Sequence, residues 1–472
     1  MFNPPTTRWL PDWAAGAVFY HIYPLGFLGA PLRNDGGDKV PRLAELRRWY
    51  DHVAGLGVTA IYFGPLFESQ SHGYDTTDYF SVDRRLGDNA LLRVIIDELH
   101  ERGIKVIFDG VFRHTGRDFF AFADIRRNGR SSPYVDWYNL NWAADSEFGD
   151  GFGYDSWQGF QGLPKLNLAN PDTRKYIFEV ARNWLGDYRA DGWRLDVAHD
   201  IDPDFWWEFR RVCKEANPDC FLVGELARDD YRVWVAPDLL DSGTNYQLYE
   251  SFKRSFTQHN LADLRANLER ASHPEFGVFK DLSLMTFLGN HDQTRVLTAL
   301  KDRRHMYPAL IFLLTAPGIP CLYYGDEVGM VGDKDYGDEG VRQPMPLPDA
   351  DWPDANHDLY RETARLVALR KQHPALAYGS LIALDAGPTT LAYLRQHSRE
   401  WVIAVLNIGD KAVRLTLPLA EAGVPDGVVF TDALESSLPD LKVQHGKLAN
   451  VEVQPGWGRI LVASTGFVSG LL

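Results

Sequence analysis

Short β-rich runs alternate with helical stripes through most of this chain, and that alternation constrains the fold more than any other feature. "AVFYHIYP" (17–24), "VTAIYFGP" (58–65) and "IKVIFDGV" (104–111) are apolar and rich in β-branched or aromatic residues. Between them lie "VPRLAELRRWYDHVAGLG" and "NALLRVIIDELHERG". The second carries Leu91, Leu92, Ile95, Ile96 and Leu99 at helical spacing, and Gly103 stops it. Five further strand candidates follow: "GWRLDVA" (192–198), "CFLVGEL" (220–226), a weak one near 239–246, "LSLMTFLG" (282–289) and "PCLYYGD" (320–326). Alternation of this kind implies a parallel sheet. Eight strands over roughly 370 residues imply an α/β fold, a (β/α)8 TIM barrel.

One interval is too long for such a barrel. Roughly 80 residues separate "IFDGV" from "GWRLD", where a helical crossover alone would do. Only "NPDTRKYIFEVARNWLGDYRADG" reads as helical there, with Asn170 as its cap and Pro171 as its first residue. The remainder, 115–169, is rich in Gly, Trp, Tyr and Phe and reads as a small domain inserted after strand 3. From 378 the pattern becomes short alternating strands, "TTLAYLRQHSREWVIAVLNIGDKAVRLTLPL", the signature of a C-terminal antiparallel β-sandwich. The expected division is therefore barrel 1–114 and 170–377, insert 115–169, sandwich 378–472.

Composition removes several function classes. A net charge of −15 argues against nucleic acid and anionic membranes, which need a basic face. Cys213, Cys220 and Cys321 do not form a disulfide framework, and no His or Cys cluster has metal-ligand spacing. The N-terminus lacks a basic-then-apolar signal pattern. "ALIFLLTAPGIPCLYYG" is broken by Pro317 and Pro320 and is too short to span a bilayer. These features imply a cytoplasmic protein; separately, a monomer or homodimer is expected.

"DGWRLDVAHD" (191–200) then raises a question. On a strand, Arg194 and Asp196 point to one common face, inside what reads as an interior. Alone, the two read as a structural ion pair. In a parallel barrel, however, side chains at the C-terminal strand ends converge on one mouth. Those ends carry Asp109 and His114, Arg194 and Asp196, Glu225 in "LVGEL", and His291 and Asp292 in "GNHD". The loop after strand 2 adds His72, Tyr74 and Asp75 in "HGYDTTDY". Singly, Asp75 reads equally as a turn residue, Glu225 as a solvated rim residue, and His291–Asp292 as a local pair. Together, several carboxylates at one apolar mouth repel unless cations, hydrogen bonds or protonation resolve them. Paired carboxylates with separated pKa values are what glycosidic bond cleavage requires.

"DGVFRH", "GWRLDVAHD", "VGEL" and "FLGNHD" resemble, in order, the four conserved regions of the α-amylase family, glycoside hydrolase family 13. "GVTAIYFGPLF", "HGYDTTDYF", "LPKLN" and "PGIPCLYYGDE" resemble its auxiliary motifs. By that resemblance Asp196 is the nucleophile, Glu225 the general acid/base with a raised pKa, and Asp292 the third carboxylate, which bonds sugar hydroxyls. Arg194 would hold Asp196 ionised and oriented, with its pKa lowered relative to its neighbours. Tyr74 would stack on the sugar, Asp75 would bond its substituents, and His114, His291 and Arg342 would also contact substrate. Asp109 would support the site.

The pattern also departs from the family. Arg113 in "DGVFRH" stands where Asn is usual, at a residue tied to a calcium site beside the inserted domain; a cation there opposes Ca²⁺. No metal or other cofactor is expected, and "NDGGD" (34–38) reads as a turn. "LPKLN" is similar to the cyclomaltodextrinase, neopullulanase and maltogenic amylase group. Yet "ELARDD" lacks that group's Trp-His pair, and the chain begins almost directly with strand 1, without the group's N-terminal β-domain. The resemblance thus implies a retaining hydrolase of α-1,4-glucosidic bonds in cyclodextrins, maltooligosaccharides and starch-type glucans, with transglycosylation as a companion reaction. An ordinary α-amylase or an α-glucosidase is the alternative within the family. A non-catalytic, transporter-associated member of the same family is the alternative of a different functional class, opposed by the presence of all three carboxylates.

Overall fold

The computed structural model describes residues 9–228, 230–348 and 352–465. Each expected strand segment contains one strand: β1 Phe19–Ile22, β2 Ala60–Phe63, β3 Lys105–Gly110, β4 Gly192–Leu195, β5 Phe221–Gly224, β6 Ser242–Gly243, β7 Met285–Phe287 and β8 Ile319–Tyr323. They form one parallel sheet in the order 6-5-4-3-2-1-8-7. A parallel bridge between Thr244 and Met285 brings the two edges together, so the sheet curls into a barrel. Burial on both faces explains why the strands read as nearly continuous apolar runs: barrel interior on one side, helices on the other.

The helices follow their sequence signals. Helix Asn89–Glu101 is capped by the Asp88 carboxylate, which accepts from the Leu91 amide at 2.9 Å. It buries Leu92, Ile95, Ile96 and Leu99, and the chain leaves it through Gly103 at φ +72°. Helix Pro171–Arg182 begins as expected, with the Asn170 side chain accepting from the amides of Asp172 and Thr173.

Strand β4 is shorter than its apolar run, and the reason bears on function. The chain leaves the sheet after Leu195 because Val197 adopts φ 38°, ψ 44°, a left-handed conformation unusual for a β-branched residue. Asp196 therefore stands at the rim rather than inside the strand. Strand β6, read weakly from the sequence, has two residues.

Between β3 and β4 lie helix Phe120–Asn128 and two short antiparallel pairs, Leu140–Asn141 with Gly153–Tyr154 and Ser156–Trp157 with Phe160–Pro164. Beyond helix Asp354–Gln372 come β9 Ser380–Gly387, β10 Thr390–His397, β11 Glu400–Asn407, β12 Val413–Pro418, β13 Val429–Asp432, β14 Leu441–Lys442, β15 Lys447–Val453 and β16 Trp457–Ser464. Strands 9-10-11-16-13-14 make an antiparallel sheet, and β12 pairs with β15. Leu394, Ile403 and Val405 from the larger sheet meet Leu417, Leu448 and Val451 from the smaller in one apolar core. Buried Arg395 of β10 donates to the Thr315 carbonyl, which ties this sandwich to the barrel.

Cys213, Cys220 and Cys321 are buried and unpaired. Among the described residues no helix is long and apolar enough to cross a membrane.

Candidate active site

The β4 strand lies between β3 and β5, and its register sets Arg194 beside Asp109 and Val223. Arg194 is buried, and its guanidinium is filled by carboxylates. Nη1 donates to Asp109 Oδ1 at 2.7 Å and to Asp196 Oδ1 at 2.9 Å, while Nη2 lies 3.1 Å from Glu225 Oε2. The amide of Val197, aimed inward by its left-handed backbone, donates to the same Glu225 oxygen at 3.0 Å. The other Glu225 oxygen accepts from the Tyr246 hydroxyl at 3.2 Å. Asp109 Oδ2 accepts from Tyr62 and Tyr74 at 2.8 and 3.0 Å.

This arrangement corrects one expectation. Asp196 was expected to be held ionised by its own arginine, with its pKa lowered relative to its neighbours. Burial instead pushes its carboxyl well above that range, with Arg194 opposing and the charges of Glu225, Asp109 and Asp292 adding to the rise. One cation divided among three carboxylates cannot compensate all of them.

Asp292 is treated differently. Arg342 Nη2 donates to its Oδ1 at 2.7 Å, His291 Nε2 lies 2.9 Å from Oδ2, and Lys334 Nζ is 3.8 Å away. Burial opposes ionisation, but 37% of the side chain remains open to solvent, and these cationic partners hold its carboxyl well below the ordinary range. The mouth thus pairs one carboxyl pushed up with one pushed down.

A cavity of about 1230 Å³ opens over this cluster, lined by Tyr74, Asp75, His114, Asp196, Glu225, Asp292 and Arg342. Seven of the nine expected site residues therefore share one space. The other two, Arg194 and His291, line a small void beneath it with His21 and Tyr246. Arg194, expected to hold Asp196, has its Nη1 and Nη2 on three carboxylates. His291 is 1% exposed and lies face to face with Tyr74 at 5.3 Å, its Nε2 meeting the Tyr74 hydroxyl as well as Asp292.

His114 and Asp75 are poised for a ligand in another way. Burial pushes the His114 imidazole down to about 3, so it is neutral, and neither ring nitrogen has a partner. Asp75 accepts from Ser71 at 2.6 Å through one oxygen, and its other, buried oxygen makes no hydrogen bond and lies 3.9 Å from His72 Nδ1. Unsatisfied buried groups at a cavity wall are costly until something fills them.

Sequence reasoning missed Tyr246, Tyr62 and Asn290, whose amide donates to the Tyr246 hydroxyl at 2.9 Å. Tyr62 was legible as an inward position of β2. Tyr246 follows the weakest strand, and only the Asn245 cap marks its place: the Asn245 side chain accepts from Leu248 N at 3.0 Å.

Arg113 Nη1 donates to the Leu166 carbonyl at 3.2 Å, in a cleft shared with Asn139 and Asp200, so an entering cation would meet a guanidinium. "NDGGD" forms two Asx turns, Asn34 to Gly36 and Asp35 to Gly37. Among the described residues no group of three or more His, Cys, Asp or Glu side chains is placed to hold a metal.

Comparison with known proteins agrees with this geometry. The family model described as "Alpha amylase, catalytic domain" matches residues 33–345. The chain belongs to the α-amylase family. It is accordingly a glycoside hydrolase. A cyclomaltodextrinase from Bacillus sp is 36% identical to this α-amylase-family chain over 437 residues, covering 87% of it and 75% of the relative. A solved cyclomaltodextrinase superposes with a TM-score of 0.83 at 32% identity, over 96% of this chain and 79% of that one. A solved cyclic α-maltosyl-(1→6)-maltose hydrolase from Arthrobacter globiformis gives 0.79 at 29% identity, over 97% of this chain and 100% of that one.

Proposed function

We propose that this enzyme is a retaining hydrolase of α-1,4-glucosidic bonds in cyclodextrins, maltooligosaccharides and starch-type glucans, with transfer to sugar acceptors as a companion reaction. The observation that carries the reading is the single guanidinium of Arg194 holding Asp196 and Glu225 on its two nitrogens. Carboxylates gathered on one guanidinium suit the close spacing of about 5–5.5 Å used for double displacement, not the about 6.5–9.5 Å that leaves room for an inverting water. The names of the related proteins supply the substrate class.

In this mechanism Asp196 attacks the anomeric carbon while Glu225 gives its proton to the departing glycosidic oxygen. A glycosyl ester on Asp196 results. Glu225 then takes a proton from water, or from a second sugar's hydroxyl, as that oxygen displaces Asp196. Asp292, ionised, bonds the sugar hydroxyls more tightly as the ring flattens. His114 and the free oxygen of Asp75 bond the same sugar, Tyr74 packs on it, and Arg342 and His291 keep Asp292 in place. We assign these roles to a barrel of residues 1–114 and 170–377 with an insert at 115–169 and a sandwich from 378. We further propose that the enzyme works without calcium at the insert, as a monomer or homodimer, in a reducing cytoplasmic setting that suits its three unpaired thiols.

Initial rates on β-cyclodextrin and soluble starch, with products resolved by chromatography, test the reading. Faster cleavage of the ring to maltose and glucose is expected. Faster release of mixed oligosaccharides from starch would favour the second reading, an endo-acting α-amylase. An enzyme inert on both would overturn the substrate class.

A further inference from the structure

The insert carries a short hairpin, Ser156–Trp157 against Phe160–Pro164, whose tip is built to hold two aromatic rings side by side. Gln158 and Gly159 turn the chain with φ 48° and 84°, the double positive-φ turn that matches strand twist. Trp157 and Phe160 thereby become directly opposed cross-strand partners, with ring centroids 5.9 Å apart and planes inclined by 24°. The base of the hairpin is fixed to the catalytic loop, since the Thr115 amide donates to the Pro164 carbonyl at 3.0 Å and His114 bridges to Lys165. Trp157 consequently stands over His114 at 5.9 Å.

Two observations point these rings at a ligand. Both line the catalytic cavity, and Phe160 keeps 61% of its surface exposed there. Phe148, 52% exposed, lines the same wall with the Arg117 guanidinium 3.7 Å over one face, and its loop is joined to the hairpin by the Glu147 amide bonding to the Gln161 side chain at 2.7 Å. Singly exposed apolar residues are common on protein surfaces, but rings gathered on one wall of an otherwise polar catalytic cavity have a use there. The faces of a glucose ring are apolar C–H surfaces bordered by hydroxyls, and they stack on aromatic rings.

We propose that Trp157 and Phe160 form an apolar platform that binds a glucose unit away from the scissile bond and so ranks long and cyclic α-glucans above short ones. The proposal rests on the functional reading above and adds what sets its preference. LPKLN, the segment that leaves the hairpin, acquires a physical role: it fastens the platform to the loop bearing His114.

The test compares kcat/KM on β-cyclodextrin, maltoheptaose and maltotriose for the wild type, Phe160→Ala and Phe160→Tyr. Phe160→Ala is expected to lose about tenfold on the first two, mainly through KM, and less than twofold on maltotriose, with Phe160→Tyr close to wild type. Equal loss on all three, or none, overturns the platform. Calorimetric binding of β-cyclodextrin to Asp196→Asn, with and without Phe160→Ala, separates this proposal from the substrate reading. About tenfold weaker binding in the double variant supports the platform even in an enzyme inert on these sugars. Unchanged binding, or no binding to either variant, overturns it.

Discussion

The Asp196 carboxylate lies 2.9 Å from Nη1 of Arg194, two residues earlier in the chain, yet it shares that guanidinium with Asp109 and Glu225. The arginine is therefore the fork on which three carboxylates meet. Arg194→Lys keeps a charge but loses the planar fork. It is expected to lower kcat by at least about a hundredfold while the barrel still folds. Arg194→Ala leaves three buried carboxylates uncompensated and is expected to cost about 3–5 kcal/mol of stability as well, read as a lower melting temperature.

The upward shift of Asp196 sets the acid limb of the pH profile. A nucleophile must be ionised, so kcat/KM, which reports the free enzyme, should fall as pH drops through the raised value. The limb is expected clearly above the ordinary aspartate value of about 4. A limb at or below that value would mean that Arg194 wins over burial.

Tyr246 donates to Glu225 from the start of helix Tyr246–Thr257. Tyr246→Phe removes that hydroxyl alone. A fall of about tenfold to a hundredfold in kcat/KM is expected, with a modestly lower melting temperature because Glu225 and Asn290 both lose a buried partner.

Asp326, buried in the turn after β8, is pushed up to about 7 by burial, with Arg295 opposing and Glu327 adding. Its folded value lies above the unfolded one, so its contribution to stability is full below about 4 and is lost as pH rises towards 7. Asp326→Asn is expected to flatten the decline in melting temperature across that window. An unchanged slope would assign the decline to other groups.

The barrel was legible because a strand buried on both faces writes a nearly continuous apolar run, and every strand but the two-residue β6 fell on such a run. The carboxylates were legible because a polar residue ending such a run has one place to go, the mouth. What escaped was relational. Side-chain parity along β4 brought Arg194 and Asp196 together, but it could not show that Asp109 and Glu225, from neighbouring strands, divide the same guanidinium. Nor could an apolar run show that Val197 turns left-handed and ends β4 after Leu195. Trp157 and Phe160 were lost in the aromatic richness of the insert, because their pairing depends on a two-residue turn rather than on periodicity.

Arg113 gives a prediction about metal. Its guanidinium lines the cleft beside the insert, so chelation should leave the melting temperature unchanged, and added Ca²⁺ should not raise it. A chelator-induced fall, reversed specifically by Ca²⁺, would show an ion bound despite Arg113.

The central claim is double displacement through Asp196, and the anomeric configuration of the first product tests it most directly. Proton NMR of maltooligosaccharide hydrolysis, recorded before mutarotation, should show new reducing ends in the α configuration. Initial release of β anomers would mean a single displacement by water, and would contradict a covalent intermediate on Asp196.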